Sequence, residues 1–313
     1  MKCKWIKKLT AGIIFLAAVG SLSGCQKAAT SENLFRDIEV NMTSVESAEE
    51  NQIVKLQMGD GDSAISQESN LDIEMIRNPA AVHRKGQQKT NMAGTKETQE
   101  MESYQVEEDG KTVIYSGTDE AWEKNAVEEK ETSSQQTVLF DGLQNLSGAF
   151  SVSQDLATVN KEECFELTGT ISGTQFQETF ADTLKALLGE DSSDLSGWNL
   201  QASEDEENNE ELQKKLNNVK VDCVIDIYRS NILPAKITFD LTDYLKAAGE
   251  ENAQVTSYTL EVTFVSYNDT KKIKVPKAVK ESAKDNGEDE AENNTDEMLE
   301  EENQEAAAES SRI

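Results

Sequence analysis

The sequence predicts an α+β fold, a large antiparallel sheet with two or three amphipathic helices on one of its faces. Three observations point there. First, Val219, Val221, Ile225 and Ile227, then Ile237, Phe239 and Leu241, then Tyr258, Leu260, Val262 and Phe264 alternate with Lys, Asp, Thr or Glu. A period of two with one dry and one wet face belongs to half-buried antiparallel strands. Second, Asp109-Gly110 lies between alternating runs, and this dipeptide accepts the positive φ angles of a tight hairpin. Third, Phe176, Phe180, Leu184, Leu187 and Leu188 recur at helical spacing, an apolar stripe that needs a sheet to cover.

The chain starts with a leader. Lys2, Lys4, Lys7 and Lys8 form a cationic segment, Leu9 to Val19 an apolar one, and small residues lead to Leu22-Ser23-Gly24-Cys25. That is the layout of a secretory signal, and its apolar run is shorter than the roughly 20 residues that cross a bilayer. The four-residue motif resembles the lipobox of bacterial lipoproteins. The resemblance implies cleavage between Gly24 and Cys25, acylation of Cys25, and a protein held at the outer face of the cell membrane. Two acyl chains anchor firmly where one gives only marginal binding.

Charge narrows the functional classes. The 313 residues contain 30 Lys and Arg against 60 Asp and Glu, a net charge of -30. Such a surface repels phosphate, so nucleic-acid binding is not expected. The acidic excess is heaviest in residues 280–313, where high charge and low hydrophobicity predict a disordered tail.

In chain order, residues 1–24 read as signal and 25–34 as lipidated terminus and polar linker. Residues 35–279 read as the folded domain. Its first strand is expected at Ile38, Val40 and Met42, the next at Val54, Leu56 and Met58, ended by Gly59-Asp60-Gly61-Asp62. Leu71, Ile73 and Met75 make a third, broken by Asn78-Pro79, and residues 86–100 a solvated strand or pair. Leu139, Leu143, Leu146 and Phe150 have helical spacing, weakened by Gly142 and Gly148. A strand follows at Cys164 to Ile171, then the helix of Phe176 to Leu188, stopped by Gly189. Residues 203–211 are a solvated acidic insertion. After the three strands of the last third, Ile273 and Val275 are expected at a sheet edge that Pro276 terminates.

Several residues resemble a family. Tyr104, Asp109-Gly110, Tyr115, Trp122 and Lys124, then Asp226, Leu233-Pro234-Ala235-Lys236, Tyr267-Asn268 and Pro276 resemble a group of poorly characterised Gram-positive surface lipoproteins. These are similar in architecture to the carriers LolA and the mycobacterial LppX type. The resemblance implies a strongly curved half-barrel with helices on its concave side, over about residues 35–279. A curved sheet with a dry inner face either fills its concavity or holds an apolar guest. The candidate cavity or lid residues are Leu139, Leu143, Phe176, Phe180, Leu184 and Leu188. The expected role is a non-enzymatic protein that binds or carries a lipid or lipid-linked glycan. The alternative is an envelope-stress or protein-interaction module with an envelope protein as partner and a filled interior.

Other motifs carry less. His83 is the only histidine and lies in a loop signal, so no metal site or cofactor is expected. Asp60-Gly61-Asp62-Ser63 lacks the later glycine and glutamate of a calcium loop and reads as a hairpin turn. Leu233-Pro234 reads as a turn. Tyr115 and Trp122 are either exposed ligand contacts or packed cross-strand neighbours. Cys164 and Cys223 lie in strands of different character and read as free thiols.

Overall fold

The computed structural model describes residues 29–59, 64–118, 121–127, 143–188, 212–248 and 254–285, with no side-chain description for 127, 181–188 and 285. Gly24, Cys25, Leu139, Gly189 and the stretches 203–211 and 286–313 lie outside the described residues.

The expected antiparallel sheet is present. Its strands are β1 (Ser47–Met58), β2 (Ile65–Ile76), β3 (Ala81–Met92), β4 (Thr95–Glu108), β5 (Lys111–Gly117), β6 (Trp122–Val127), β7 (Phe150–Val159), β8 (Glu162–Ser172), β9 (Lys220–Tyr228), β10 (Pro234–Asp240), β11 (Val255–Tyr267) and β12 (Lys284–Asp285). The spatial order is β12-β6-β5-β4-β3-β2-β1-β11-β10-β9-β8-β7. Two meanders, β1 to β6 and β7 to β11, are therefore joined where β1 pairs antiparallel with β11. Among the described strands only β12 is parallel to its neighbour, β6. Two-residue turns with positive φ close three hairpins, at Ala93-Gly94, Asp109-Gly110 and Asn160-Lys161.

Helices α1 (Ser31–Met42), α2 (Gly173–Leu188) and α3 (Thr242–Ala248), with a 3-10 segment at Leu143–Ala149, supply side chains to one large core. That core lies on the sheet face of Leu167, Ile225, Ile237, Leu260 and Val262, here called the inner face. A further short helix, α4 (Lys277–Ser282), belongs to a second cluster on the opposite face.

The first element departs from expectation. Residues 31–42 form a helix, so no strand runs through Ile38, Val40 and Met42, and Ser31 to Leu34 are not linker. Leu34, Phe35, Ile38 and Met42 are buried while Val40 is 62% exposed, a helical stripe whose first half lies upstream of the alternating triplet. The Thr30 side chain caps it by accepting from Asn33 N at 3.3 Å. Phe35 meets Phe150 edge-on, ring centroids 5.2 Å apart, and Phe150 in turn lies over Gly169, where a Cβ would stand 2.6 Å from its ring.

Other departures share a cause, polar faces that hide a period. The described part of the helix expected around Leu139 to Phe150 is the 3-10 segment, and Phe150 already pairs with Gly169 in β7. Strand β7 itself is an edge whose exposed residues break the alternation, with a bulge between Val152 and Leu156. Helix α3 interrupts the run from β10 to β11: Thr242 N donates to Asp240 Oδ1, and Tyr244, Leu245 and Ala248 turn inward. Ile273 and Val275 form no strand. They pack as irregular chain against the second cluster, and order continues past residue 280 through α4 and β12.

Cys164 and Cys223 are free and buried. Cys223 belongs to the inner core, whereas Cys164 packs with Val159, Tyr228 and Ala235 in a third cluster. Burial pushes both thiols up from their ordinary value. Both should resist a thiol reagent in the native protein and react only after denaturation; a fast-reacting native thiol would contradict this placement. Phe35→Ala should cost about 3–5 kcal/mol in chemical denaturation if α1 is part of the core.

Candidate functional site

The inner face holds the residues expected at a ligand cavity. Phe176 and Phe180, four apart on α2, are both buried, and their rings pack 5.5 Å apart. Phe176 meets Phe239 at 5.3 Å and Tyr244 at 5.0 Å, and Phe180 meets Phe239 at 5.0 Å, all edge-on. Aromatic pairs favour this geometry and add to the gain from burial. Leu143 is buried in the same core. The structure thus brings Leu143, Phe176 and Phe180 into one interior; Leu184 and Leu188 lie on α2 where side chains are not described, and Leu139 outside the described residues.

Away from the helices, the same face continues over β1 to β4, and the ladder fixes which residues share it. One row runs Phe264, Glu50, Ile73, Arg84, Ser103; the next Val262, Gln52, Leu71, Gly86, Met101; the next Leu260, Val54, Ser69, Gln88, Gln99. On β1 to β4 this inner face has Glu50 and Arg84 in its middle and Glu97 and Glu107 at the ends of β4. The other face is crowded with charge: Glu68, Asp72 and Glu74 on β2, Lys85 and Lys89 on β3, Lys96, Glu100 and Glu102 on β4. One side of a strongly acidic chain therefore carries few charges among apolar and neutral polar side chains.

Glu50 is the exception that the inner face encloses. It is 2% exposed, and neither carboxylate oxygen has a hydrogen-bond partner among the described residues. Burial pushes its carboxyl from 4.5 up to about 7, against the pull of the Arg84 guanidinium. Burial lowers Arg84 in turn, with Glu50 opposing. Burial also raises the phenol of Tyr267, and the Glu50 charge adds to this. Its hydroxyl donates to Pro234 O at 2.7 Å.

The outer face carries two polar assemblies. Glu102 Oε1 accepts from Tyr104 Oη at 2.7 Å and lies 2.9 Å from His83 Nε2, while Oε2 accepts from Lys85 Nζ at 3.1 Å. Burial alone would raise Glu102; these three bonds and the Lys85 charge bring it below the ordinary range. His83 is thus no loop residue. It sits within β3 with Nδ1 3.3 Å from Glu74 Oε2, its ring stacked on Tyr104 at 4.3 Å. Beside it, Tyr104, Val113, Tyr115 and Trp122 form the second cluster, covered by Ile273, Val275 and Val279. Tyr115 and Trp122 are packed neighbours, and Lys280 pairs with Glu108, which also accepts from Tyr115 Oη.

Farther along this face Asp226 is 7% exposed with Oδ1 unpartnered. Burial first, then Glu166 and Glu261, raise its carboxyl to about 6 against the pull of Lys236. The remaining motif residues hold turns. Asn268 Oδ1 accepts from Glu46 N at 2.7 Å and Asn268 N donates to Ser47 O at 2.8 Å; Pro234 opens β10 after Ile232 takes a positive φ.

Sequence reading missed Glu50 and Arg84. The signal was present for Glu50: extending the Val54, Leu56, Met58 alternation backwards places Gln52 and Glu50 on the dry side.

These features define an α+β protein with one open, largely antiparallel sheet and a helix-covered inner face. The chain belongs to a family of unknown function, DUF6612, matched over residues 30–284. No curated protein matches it in sequence. Among solved structures it is similar to LprF from Mycobacterium bovis, at 11% identity over 79% of this chain and 96% of that one, with a TM-score of 0.42. Lipoprotein LppX from Mycobacterium tuberculosis is similar at 14% identity over 78% and 98%, TM-score 0.39. A LolA superfamily protein from Nitrosomonas europaea is similar at 9% over 80% and 97%, TM-score 0.23. No described helix is long and apolar enough to cross a membrane.

The buried carboxyl sets a pH dependence. Native Glu50 keeps its proton up to about pH 7, whereas in the unfolded chain it releases it near the ordinary value. Its contribution is therefore most favourable below pH 4.5 and is lost as pH rises toward 7. Glu50→Gln should stabilise the protein at pH 8, by an amount on the order of 3 kcal/mol, and this advantage should shrink at pH 5. Urea midpoints of both proteins at the two pH values check it.

Proposed function

We propose that this is an extracytoplasmic, non-enzymatic protein, anchored by acylated Cys25, that binds a lipid or another amphipathic molecule against the inner face of its sheet. The observation that carries the reading is the partition of charge across β1 to β4. An inner face of Leu71, Ile73, Met75 and neutral Ser and Gln side chains, backed by an outer face of Lys, Asp and Glu, suits a guest that water does not solvate well. The leader supports the anchor, and α1 shortens the tether. Only residues 26–30 separate Cys25 from the helix, so the domain stands no more than about 20 Å from its lipid.

The packed rings of Phe176, Phe180, Phe239 and Tyr244 favour a second reading, an interaction module whose interior is already full. Native mass spectrometry of the protein purified from membranes separates the two. The expected result is a chain lacking residues 1–24, diacylated at Cys25, with a non-covalent lipid adduct. A bare protein mass, together with no uptake of a fluorescent fatty acid, would leave the module reading in its place.

A further inference from the structure

Glu50 stands out among the charged groups of the molecule. It lies in the middle of the inner face, between Phe264 on β11 and Ile73 on β2, with Gln52 next to it on the same side of β1. Its two oxygens are enclosed and accept nothing. Buried polar groups are ordinarily hydrogen-bonded, and an unsatisfied one is costly. A leucine here would pack on Phe264 and Ile73 without that penalty. Arg84, one strand beyond Ile73, offsets the charge but leaves both oxygens without a donor.

Resting on the inner-face reading above, we propose that Glu50 is a ligand-recognition residue. It accepts a hydrogen bond from the hydroxyl of an amphiphile with a neutral polyol head, whose apolar part lies over Leu71 and Met101. The neighbouring rows explain the choice of head. Gln52, Ser69, Gln88 and Gln99 present uncharged donors and acceptors on the same face, the complement of a group with several hydroxyls. A phosphate would bring a second negative charge against Glu50, whose only opposing charge from the elements packed around it is Arg84; Tyr267 adds a neutral phenol. With a carboxyl near 7, the group can also donate to a head oxygen when protonated.

The test is displacement of a fluorescent fatty acid, cis-parinaric acid, from the full-length protein. The competitors are 1-oleoylglycerol, dodecyl glucoside, methyl oleate and 1-oleoyl lysophosphatidate. The wild type should favour the first two over methyl oleate by about tenfold, the size of one hydrogen bond to a charged group. Glu50→Leu should abolish that preference while keeping its affinity for methyl oleate. Glu50→Gln, which preserves an acceptor, should retain most of the preference and lose any change in it between pH 5 and pH 8, and it serves if the leucine variant fails to fold. Equal displacement by all competitors, a lead for the lysophosphatidate, or a preference that survives Glu50→Leu overturns the role of Glu50 while leaving the inner-face reading intact. Failure of the wild type to take up the probe removes both.

Discussion

The pairing of β1 with β11 is the constraint on which the rest depends. Each meander is built from strands that follow one another in sequence, with α2 and α3 carried between strands of the second, but only this long-range ladder makes them one sheet. It brings Phe264 and Val262 beside Glu50 and Gln52 and so sets the boundary between the helix-covered core and the open part of the inner face. Its end is pinned by Asn268, which bonds the backbone at Glu46 and Ser47, and by the buried Tyr267 hydroxyl on Pro234. A slip of one residue would exchange the faces of a whole meander. The motif residues of the last third are, in this light, fasteners for that joint.

The two faces of the sheet answer different solvents. Inside, α1, α2 and α3 supply Phe35, Phe176, Phe180 and Tyr244 to a continuous apolar core. Outside, the Glu102 assembly and the Lys236 to Glu261 pair at 2.8 Å tie strands together with half-exposed ions, which contribute modestly in water. The C-terminal chain adds what ions cannot, an apolar cover of Ile273, Val275 and Val279 over Tyr115 and Trp122. Apolar area therefore holds both faces, and the charged groups mainly decide which surface stays wet.

Much of this was readable from residues alone where one period dominated. The alternating runs that reach Met58, Met75, Ile227, Phe239 and Phe264 lie in β1, β2, β9, β10 and β11. Asp109-Gly110 turns as its chemistry requires. Elements failed where two periods coincided or neither was visible. Ile38, Val40 and Met42 satisfy an alternation by chance, and only the burial of Leu34 and Phe35 shows the helix. Strand β7 sits at an edge with most residues wet, so it has no dry face to announce it. Of the site, the apolar side chains were legible because they obey the helix period. Arg84 was not, since a charged residue on an interior row looks in sequence like any of the thirty bases, and Glu50 shows only when the alternation of Val54, Leu56 and Met58 is carried backwards.

The first described helix and the last described strand lie at opposite extremes of this sheet. Helix α1 bonds through Ser31 to the carbonyl of Ser147, just ahead of β7, whereas the last described residues pair with β6 at the far edge. Eleven strand spacings of about 4.8 Å put roughly 50 Å of sheet between them, measured along its arc. The two ends of the described chain are therefore held a sheet's width apart by strand order alone.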